Sequence, residues 1–452
     1  MKSKKFVKKV KKSIPWISHI ITDEKSASEL SNISIEPQKL FRSDICLICR
    51  GTKLLCGRKR CPIIEKWYSF RKIESKINSR VIIGSSPPGV FVGRFGYPYV
   101  WIGPLVPPFS GDTRILDTPE LWHSKKLNEI IDFRLSLVRG KTLTHIRKFG
   151  EKKKLVEIIQ ELSMSKISVD SDLILKRRPS GILFDSETQP IGPSAPLLKI
   201  DVSNIHVDHR IEKISFDDDL KAVDSLYYLY RNGVFISGII RAFSMGLLGM
   251  KNERKLVPTR WSITAVDSTL SRFLRDNFVK NYPIISEYML FETENFDDKF
   301  IVILIPDAWS FEFIEAWYPG TAWNIFSDSI AIAGDFEPYW GRTSYASIGG
   351  CYYATRLAVS EYLTKIRKQA RVLVLRETYP GHILPLGVWH VRESVRCALK
   401  HKPKKFSSFK AVLEYISNSL KISVNTWVKV SKILRDLRTQ EKLTTFFYKP
   451  NM

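Results

Sequence analysis

The 452-residue sequence has no long apolar run, and it contains only six cysteines and eight histidines. Its longest apolar stretches, such as residues 300–306, have the length of a β-strand, well short of the roughly 20 residues that span a membrane. The basic start of the chain is not followed by an apolar segment of signal-peptide length. We therefore expect an intracellular, cytoplasmic protein without a membrane partner.

Acidic residues are also in deficit, with 46 Asp and Glu against 71 Lys and Arg, which gives a formal net charge of +25. Such an excess favours a polyanionic partner, and nucleic acid is the first candidate. A basic surface tuned for solubility is the alternative. The hydrophobic fraction of 44% indicates a folded protein, and the length indicates two or three domains.

Four of the six cysteines are concentrated in one short segment of the chain. They are Cys46, Cys49, Cys56 and Cys61. The first pair has the spacing of a metal knuckle, and Gly51 and Gly57 allow the tight turns that bring sulfur atoms together. Four thiolates most simply hold a structural Zn²⁺. An iron–sulfur cluster and a pair of disulfides are the alternatives.

Basic residues next to these cysteines, and one arginine further along, are candidates for contact with DNA. The first set is Arg58, Lys59 and Arg60, which would also offset the negative charge of a four-thiolate centre. The second place is the segment 93–96, where Arg94 and Phe95 lie between two glycines in a predicted hairpin tip. An arginine beside an aromatic ring suits a phosphate contact combined with base stacking. An ordinary turn is the alternative.

The body of the chain alternates between strand and helix patterns, which predicts an α+β or α/β multi-domain fold. Short strands with tight turns are predicted through 80–104, and further strands at 197–202, 257–266, 300–306 and 372–375. Helices are predicted at 64–77, 130–139, 141–161, 217–230, 268–279, 352–368, 409–420 and 424–437. Asp267 is predicted to cap the helix that starts at residue 268.

Three groups of carboxylates and histidines are candidates for a metal-dependent nuclease site, which needs side chains that hold Mg²⁺ or Mn²⁺ near a phosphate. The first group is Asp201, His206, Asp208 and His209; the second is Asp335 and Glu337; the third is Glu377, His382 and His390. None of them has a recognised catalytic spacing. Salt bridges at the surface and satisfied core groups are the alternatives.

The C-terminal end carries the motif with the clearest functional meaning. Its residues are Gln440, Leu443, Phe446 and Phe447. One turn of tight helix would bring the three apolar side chains to one side as a plug that docks into a groove. The pattern resembles the box through which replication and repair proteins bind the sliding clamp PCNA. The alternative is the apolar stripe of a last amphipathic helix.

Several separate blocks together resemble the Nre family of archaeal DNA-repair proteins. The blocks are the four-cysteine motif, residues 85–98, 103–108, 111–113, 137–140 and 258–262, and the terminal box. The resemblance implies a role in DNA damage repair, a zinc-type cysteine module and clamp binding through the tail. It implies no known reaction.

Two functional hypotheses follow. The first is a clamp-tethered DNA repair factor that contacts DNA through basic surfaces and is associated with the nucleoid. The second is a clamp-stimulated nuclease that uses Mg²⁺ or Mn²⁺. The expected organisation is a basic arm (1–42), a four-cysteine zinc module (43–63), two mixed α/β domains (64–310 and 311–437) and a flexible clamp-binding tail (438–452).

Overall fold

The computed structural model describes residues 49, 51–181, 189–324 and 327–439. The chain divides into two compact units, Met1–Cys56 and Gly57–Met452. The basic arm, Cys46 and the terminal box with Gln440, Leu443, Phe446 and Phe447 lie outside the described residues. Across the described ranges, no helix combines the length and the apolar character that crossing a membrane requires.

The described part of the second unit contains twelve α-helices and twelve β-strands. The helices are α1 (Pro62–Glu74), α2 (Leu127–Ser136), α3 (Lys153–Ser163), α4 (His209–Phe216), α5 (Ala222–Arg231), α6 (Ile236–Ser244), α7 (Thr259–Asn277), α8 (Gly350–Ile366), α9 (Val388–Ala398), α10 (Phe409–Ser419), α11 (Val424–Val430) and α12 (Lys432–Thr439). The strands are β1 (Val81–Ser86), β2 (Val90–Val92), β3 (Tyr99–Val106), β4 (Val138–His145), β5 (Val169–Leu175), β6 (Ser194–Ser203), β7 (Tyr288–Asn295), β8 (Asp298–Ile305), β9 (Ser310–Trp317), β10 (Ala331–Glu337), β11 (Arg371–Thr378) and β12 (Lys404–Phe406).

The strands form two six-stranded sheets, with the orders β1-β5-β6-β4-β3-β2 and β10-β9-β11-β8-β7-β12. Most neighbours are antiparallel; β4 with β6 and β9 with β11 are parallel pairs. The expectation of a mixed α and β fold is confirmed. The first sheet buries one face, where Val100, Ile102 and Leu173 join a core with the apolar sides of α3, α6 and α7.

The second sheet is buried on both faces because its strands alternate between two hydrophobic cores. On β11, Val372 and Val374 belong to the core that includes residues of α8 and α9. Leu373 and Leu375 belong to the core that includes residues of α10, α11 and α12. This alternation also decides which layer each polar side chain of the strands enters.

Two sequence-based assignments are wrong in the structure. Residues 141–145, expected to be helical, continue strand β4, whose side chains are alternately more and less buried. The expected strand at 257–266 is the first half of helix α7, which buries Ser262, Val266 and Leu270 at helical spacing. Asp267 is therefore not a cap; it lies buried inside α7 and accepts two hydrogen bonds of 2.9 Å from Arg392.

The expected domain boundary between residues 310 and 311 falls inside the second sheet. Strand β8 lies before this position and β9 extends across it, and both pair with β11. A division there would separate strands of one sheet, because β11 hydrogen-bonds to both of them. The residues from Gly57 onward form one compact unit.

Candidate nucleic-acid interface and a buried carboxylate–histidine cluster

Exposed aromatic side chains gather where β2, β3 and the start of α7 meet. We name this group the aromatic face; it consists of Phe95, Tyr97, Tyr99, Trp101 and Trp261. On β3 the ring positions alternate with Val100 and Ile102, which are fully buried, so the pleat of the strand turns the rings outward. Phe95 has 74% of its surface exposed, far more than a core residue retains.

Backbone contacts fix the position of the aromatic face. Gly93 N–H donates to the Trp101 carbonyl at 2.7 Å, and Tyr99 N–H donates to the Gly96 carbonyl at 2.8 Å. Gly96 has φ of +88°, a left-handed conformation that a glycine adopts without strain. Val92 N–H donates to Thr259 Oγ1 at 2.9 Å, which joins the start of α7 to β2. These contacts make the hairpin a well-ordered platform.

Two ring–ring contacts and one cation–π contact involve side chains of the aromatic face. The Tyr97 and Trp261 rings lie 5.2 Å apart, and the Tyr99 ring lies 5.3 Å from the His145 ring. The Arg94 guanidinium lies 4.8 Å above the Phe95 ring. Exposed rings next to a guanidinium can hold bases and a phosphate together.

Arg94 and Arg260 are both exposed. Partial burial is the larger cause that lowers the pKa of Arg94, and the charge of the nearby Arg260 is the second. Neither arginine forms an ion pair with a carboxylate of the described chain. Exposed cations also line the end of β4, namely Arg147, Lys148 and Lys152. Two like charges held together without a carboxylate are suited to an anionic ligand.

The other DNA-contact candidates occupy different environments. Arg58 is only 3% exposed, and its Nε donates to the Gly320 carbonyl at 3.0 Å, which removes it from the candidates. Lys59 is exposed and pairs with Asp297 at 3.1 Å. Arg60 is half exposed and contacts Asn128 at 3.3 Å. Among these four residues, Arg94 is exposed and forms no ion pair within the described ranges.

Residues of the first nuclease candidate group do not converge in the structure. Asp208 caps helix α4 by accepting from Arg210 N–H at 3.0 Å, and its carboxylate also pairs with the Arg210 side chain. Asp201 is exposed and pairs with Lys199 at 2.6 Å. His206 and His209 are exposed, and His209 lies 3.2 Å from the Lys166 ammonium.

The second candidate group is divided between two structural roles. Asp335 pairs with Arg342 at 2.8 Å and accepts from Ser347 N–H at 2.6 Å. Glu337 is fully buried, and its carboxylate accepts from Arg275 at 2.9 Å and from Arg356 at 2.5 Å. All of these contacts use carboxylate oxygens that a catalytic metal would need.

The third candidate group is separated by the alternation of β11. Glu377 enters the layer of α10, α11 and α12, where it accepts from the Lys421 and Ile422 amides at 3.0 and 2.9 Å. His382 and His390 lie in the other layer, beside Asp298. The structure therefore places the two histidines together. The carboxylate beside them is that of Asp298, 79 positions before Glu377 in the chain.

Asp298, His382 and His390 form the one group of three potential metal-binding side chains within the described ranges. One ligand-capable atom of each lies within 4.8 Å of the other two, and all three are at most 2% exposed. Asp298 was missed at the sequence level because it follows a two-residue hairpin turn and reads as part of a loop. Its partners become visible only through the pairing of β8 with β11.

In the described part of the cysteine segment, the backbone turn after Cys49 favours the thiolate form of its side chain. Backbone N–H groups of Leu55, then Gly51, Lys53 and Leu54, lower the pKa of Cys49, while burial opposes them. Gly51 has φ of +74° and Leu54 has φ of +48°, which turns the backbone sharply around the sulfur. Hydrogen bonds that stabilise the charged form are what a metal-binding thiolate requires.

Comparison with known proteins assigns the class of this two-sheet protein. Residues 55–324 match the family described as Archaeal Nre, N-terminal, and residues 337–446 match Archaeal Nre, C-terminal. The chain belongs to the archaeal Nre family. No solved structure matches the chain.

Individual relatives match over most of their length. DNA repair protein NreB of Archaeoglobus fulgidus is 41% identical over 392 residues, which covers 86% of this chain and 97% of the relative. DNA repair protein NreA of the same organism is 41% identical over 365 residues, covering 80% and 90%. DNA repair protein NreA of Haloferax volcanii is 32% identical over 398 residues, covering 85% and 94%.

Proposed function

We propose that this protein is a DNA repair factor that binds DNA through the aromatic face and the sliding clamp PCNA through residues 440–447. Its relatives carry the name DNA repair protein, and its net charge of +25 suits a polyanionic partner. The observation that carries the DNA contact is the exposed aromatic face flanked by Arg94 and Arg260.

The chemistry of this surface favours unpaired bases. Exposed rings offer stacking surfaces that bases inside an intact duplex cannot reach, because the neighbouring base pairs already occupy both of their faces. The guanidinium groups and the cations at the end of β4 are placed to contact the sugar–phosphate backbone. Single-stranded or locally opened DNA, as found at damaged or branched sites, is therefore the expected ligand class.

Fluorescence anisotropy with a labelled single-stranded oligonucleotide tests the interface. Trp101→Ala should weaken binding about tenfold, since a lost base stack costs about 1–3 kcal/mol. Trp340→Ala is the matched control, because Trp340 is 84% exposed and belongs to a different surface. Equal affinities for both variants and the unaltered protein would remove the aromatic face from the proposal.

The clamp contact depends on the motif that begins directly after the last described helix. Helix α12 ends at Thr439 and contributes Ile433 and Leu434 to a core made of described residues. Titration calorimetry with the cognate clamp should give a micromolar dissociation constant, about 8 kcal/mol. Phe446→Ala with Phe447→Ala should abolish binding, whereas Tyr448→Ala, outside the box, should retain it. Loss of thermal stability in the double variant would instead make the two rings core residues.

We also propose that Cys46, Cys49, Cys56 and Cys61 hold a structural Zn²⁺. The support is the cysteine spacing together with the amide-stabilised Cys49 sulfur. One Zn²⁺ per chain should disappear in Cys49→Ser but not in Cys397→Ser, whose thiol lies far away in the sequence on helix α9. A brown protein that contains iron and sulfide in equal amounts would instead show that these cysteines hold an iron–sulfur cluster.

The nuclease alternative has weaker support, because Asp208, Asp335 and Glu337 already bind arginines through their oxygens. It predicts cleavage of branched or damaged DNA with Mn²⁺ or Mg²⁺ that is lost in Asp208→Ala or Glu337→Ala. A cleavage screen on such substrates separates it from the binding function. Cleavage that disappears in a folded variant would make the protein an enzyme.

A further inference from the structure

The second sheet places a charged cluster against helix α9. Asp298 opens β8, Glu315 lies on β9 and Arg376 lies on β11, all on the face where Val374 and Phe300 belong to the core with α8 and α9. Arg376 donates to Asp298 Oδ2, with Nε at 3.2 Å, and also to Glu315. The guanidinium therefore orients the Asp298 carboxylate from the sheet side.

The two histidines approach the same carboxylate from the other side. His390 Nε2 lies 2.7 Å from Asp298 Oδ2, and His382 Nδ1 lies 3.3 Å from it. His382 Nδ1 also lies 3.1 Å from the Phe296 carbonyl, and donation to that oxygen leaves the lone pair on Nε2. A histidine whose second nitrogen is held by a backbone carbonyl has the arrangement usual for metal ligands.

Three buried polar atoms of this region have no hydrogen-bond partner in the described part of the chain. They are Asp298 Oδ1, Thr378 Oγ1 and His382 Nε2. Asp298 and Thr378 are opposite each other in the β8–β11 pair, so two of these atoms belong to adjacent positions. A buried polar atom without a partner costs about 1–3 kcal/mol. Several of them together indicate a missing ligand.

We propose that Asp298, His382 and His390 bind a divalent first-row transition metal ion. Two imidazoles and one carboxylate suit Zn²⁺, Fe²⁺, Co²⁺ or Mn²⁺, whereas Mg²⁺ and Ca²⁺ prefer all-oxygen ligands. Trp323 covers the site: its ring centroid lies 5.3 Å from that of His382 and 5.4 Å from the Arg376 guanidinium carbon. Trp323 is 45% exposed, whereas the three cluster residues are buried, so its ring lies between the cluster and solvent.

Metal analysis of the full-length protein tests this site separately from the cysteine zinc. After loading with Co²⁺ or Zn²⁺ and gel filtration, His382→Gln with His390→Gln should carry one metal ion per chain less than the unaltered protein. The Co²⁺ bands lost in this variant should lack the intense thiolate charge-transfer absorption, which stays with the cysteines. His206→Gln with His209→Gln is the matched control, because both histidines are exposed and outside the cluster.

An unchanged metal content in the folded cluster variant would overturn the proposal. Trp323→Ala provides a second measurement that keeps all three ligands and needs no histidine variant to fold. One metal ion of Trp323→Ala should transfer to a chelator at least several-fold faster than in the unaltered protein. Identical release curves for the two proteins would also count against the site. Neither result depends on DNA or clamp binding, so failure here leaves the proposed function intact.

Discussion

Arginine and aromatic side chains are exposed at the hairpin of the first sheet and buried in the core of the second, as Arg94 and Phe95 compared with Arg376 and Phe300 show. On the first sheet, Arg94 stands in solvent over an exposed phenylalanine, next to Arg260. On the second sheet, Arg376 is buried and pairs with both Asp298 and Glu315. An uncompensated cation among exposed rings serves recognition, whereas a paired cation inside a core serves architecture.

Burial on both faces explains the difference. A strand that faces two helical layers must satisfy every polar group internally, because water does not reach it. Glu312 and Glu377 do so in one layer by accepting backbone amides near the starts of α11 and α12. In the opposite layer, the cluster of Asp298, His382 and His390 contains polar atoms that have no hydrogen-bond partner among the described residues. The first sheet meets no such demand on its exposed face.

The largest expected effect comes from breaking a buried pair of the second sheet. Glu337→Ala leaves Arg275 and Arg356 buried without their shared carboxylate. The free energy of unfolding, measured by chemical denaturation, should fall by about 3–5 kcal/mol. Glu294→Ala, an exposed glutamate on β7 of the same sheet, should change it by less than about 0.5 kcal/mol. Equal effects would mean that burial does not distinguish these carboxylates.

A pH effect of intermediate size should come from Glu292, which joins β7 to β12 and α10. Burial opposes ionisation, but hydrogen bonds from Lys404, Tyr415 and Ser419 lower its pKa from 4.5 to about 2. A lowered pKa stabilises the fold above the unfolded-state value, and this stability is lost as the pH falls from about 4.5 through 2.

Chemical denaturation between pH 7 and pH 3 measures this contribution. Glu292→Gln should lower the free energy of unfolding by about 2 kcal/mol at pH 7, after allowance for partial solvent screening. The difference from the unaltered protein should shrink below pH 4.5. A constant difference across the whole range would show that the hydrogen bonds do not depend on ionisation of Glu292.

The sequence predicted elements whose pattern is local and missed features that depend on pairing between distant strands. Helices α1, α8 and α10 were expected because their apolar spacing and flanking signals lie within each segment. The first half of helix α7 was mistaken for a strand, because its first turns contain β-branched residues and tryptophan. Its burial against α6 and α8 overrides that local preference.

The candidate sites divide in the same way. Arg94 and Phe95 were identified from a short glycine-bounded motif, and the hairpin does expose both. His382 and His390 were grouped with Glu377, which is near them in the sequence, whereas the structure places Asp298 beside them. Strand alternation sends Glu377 to the opposite layer from the histidines, and β8 supplies Asp298. Asp298 directly follows a two-residue hairpin turn, and no local sequence pattern there indicates that it lies beside the two histidines.

The smallest expected change in stability comes from comparing an exposed phenylalanine of the first sheet's hairpin with a buried phenylalanine of the second sheet. Phe95→Ala, at a position 74% exposed, should change the free energy of unfolding by less than about 0.5 kcal/mol while weakening binding to single-stranded DNA. Phe313→Ala, fully buried on β9, should cost about 3–5 kcal/mol. A loss above about 1 kcal/mol in Phe95→Ala would mean that its ring packs as part of the fold. In that case the aromatic face would be a structural element with incidental exposure, and a matching loss of DNA affinity would reflect unfolding.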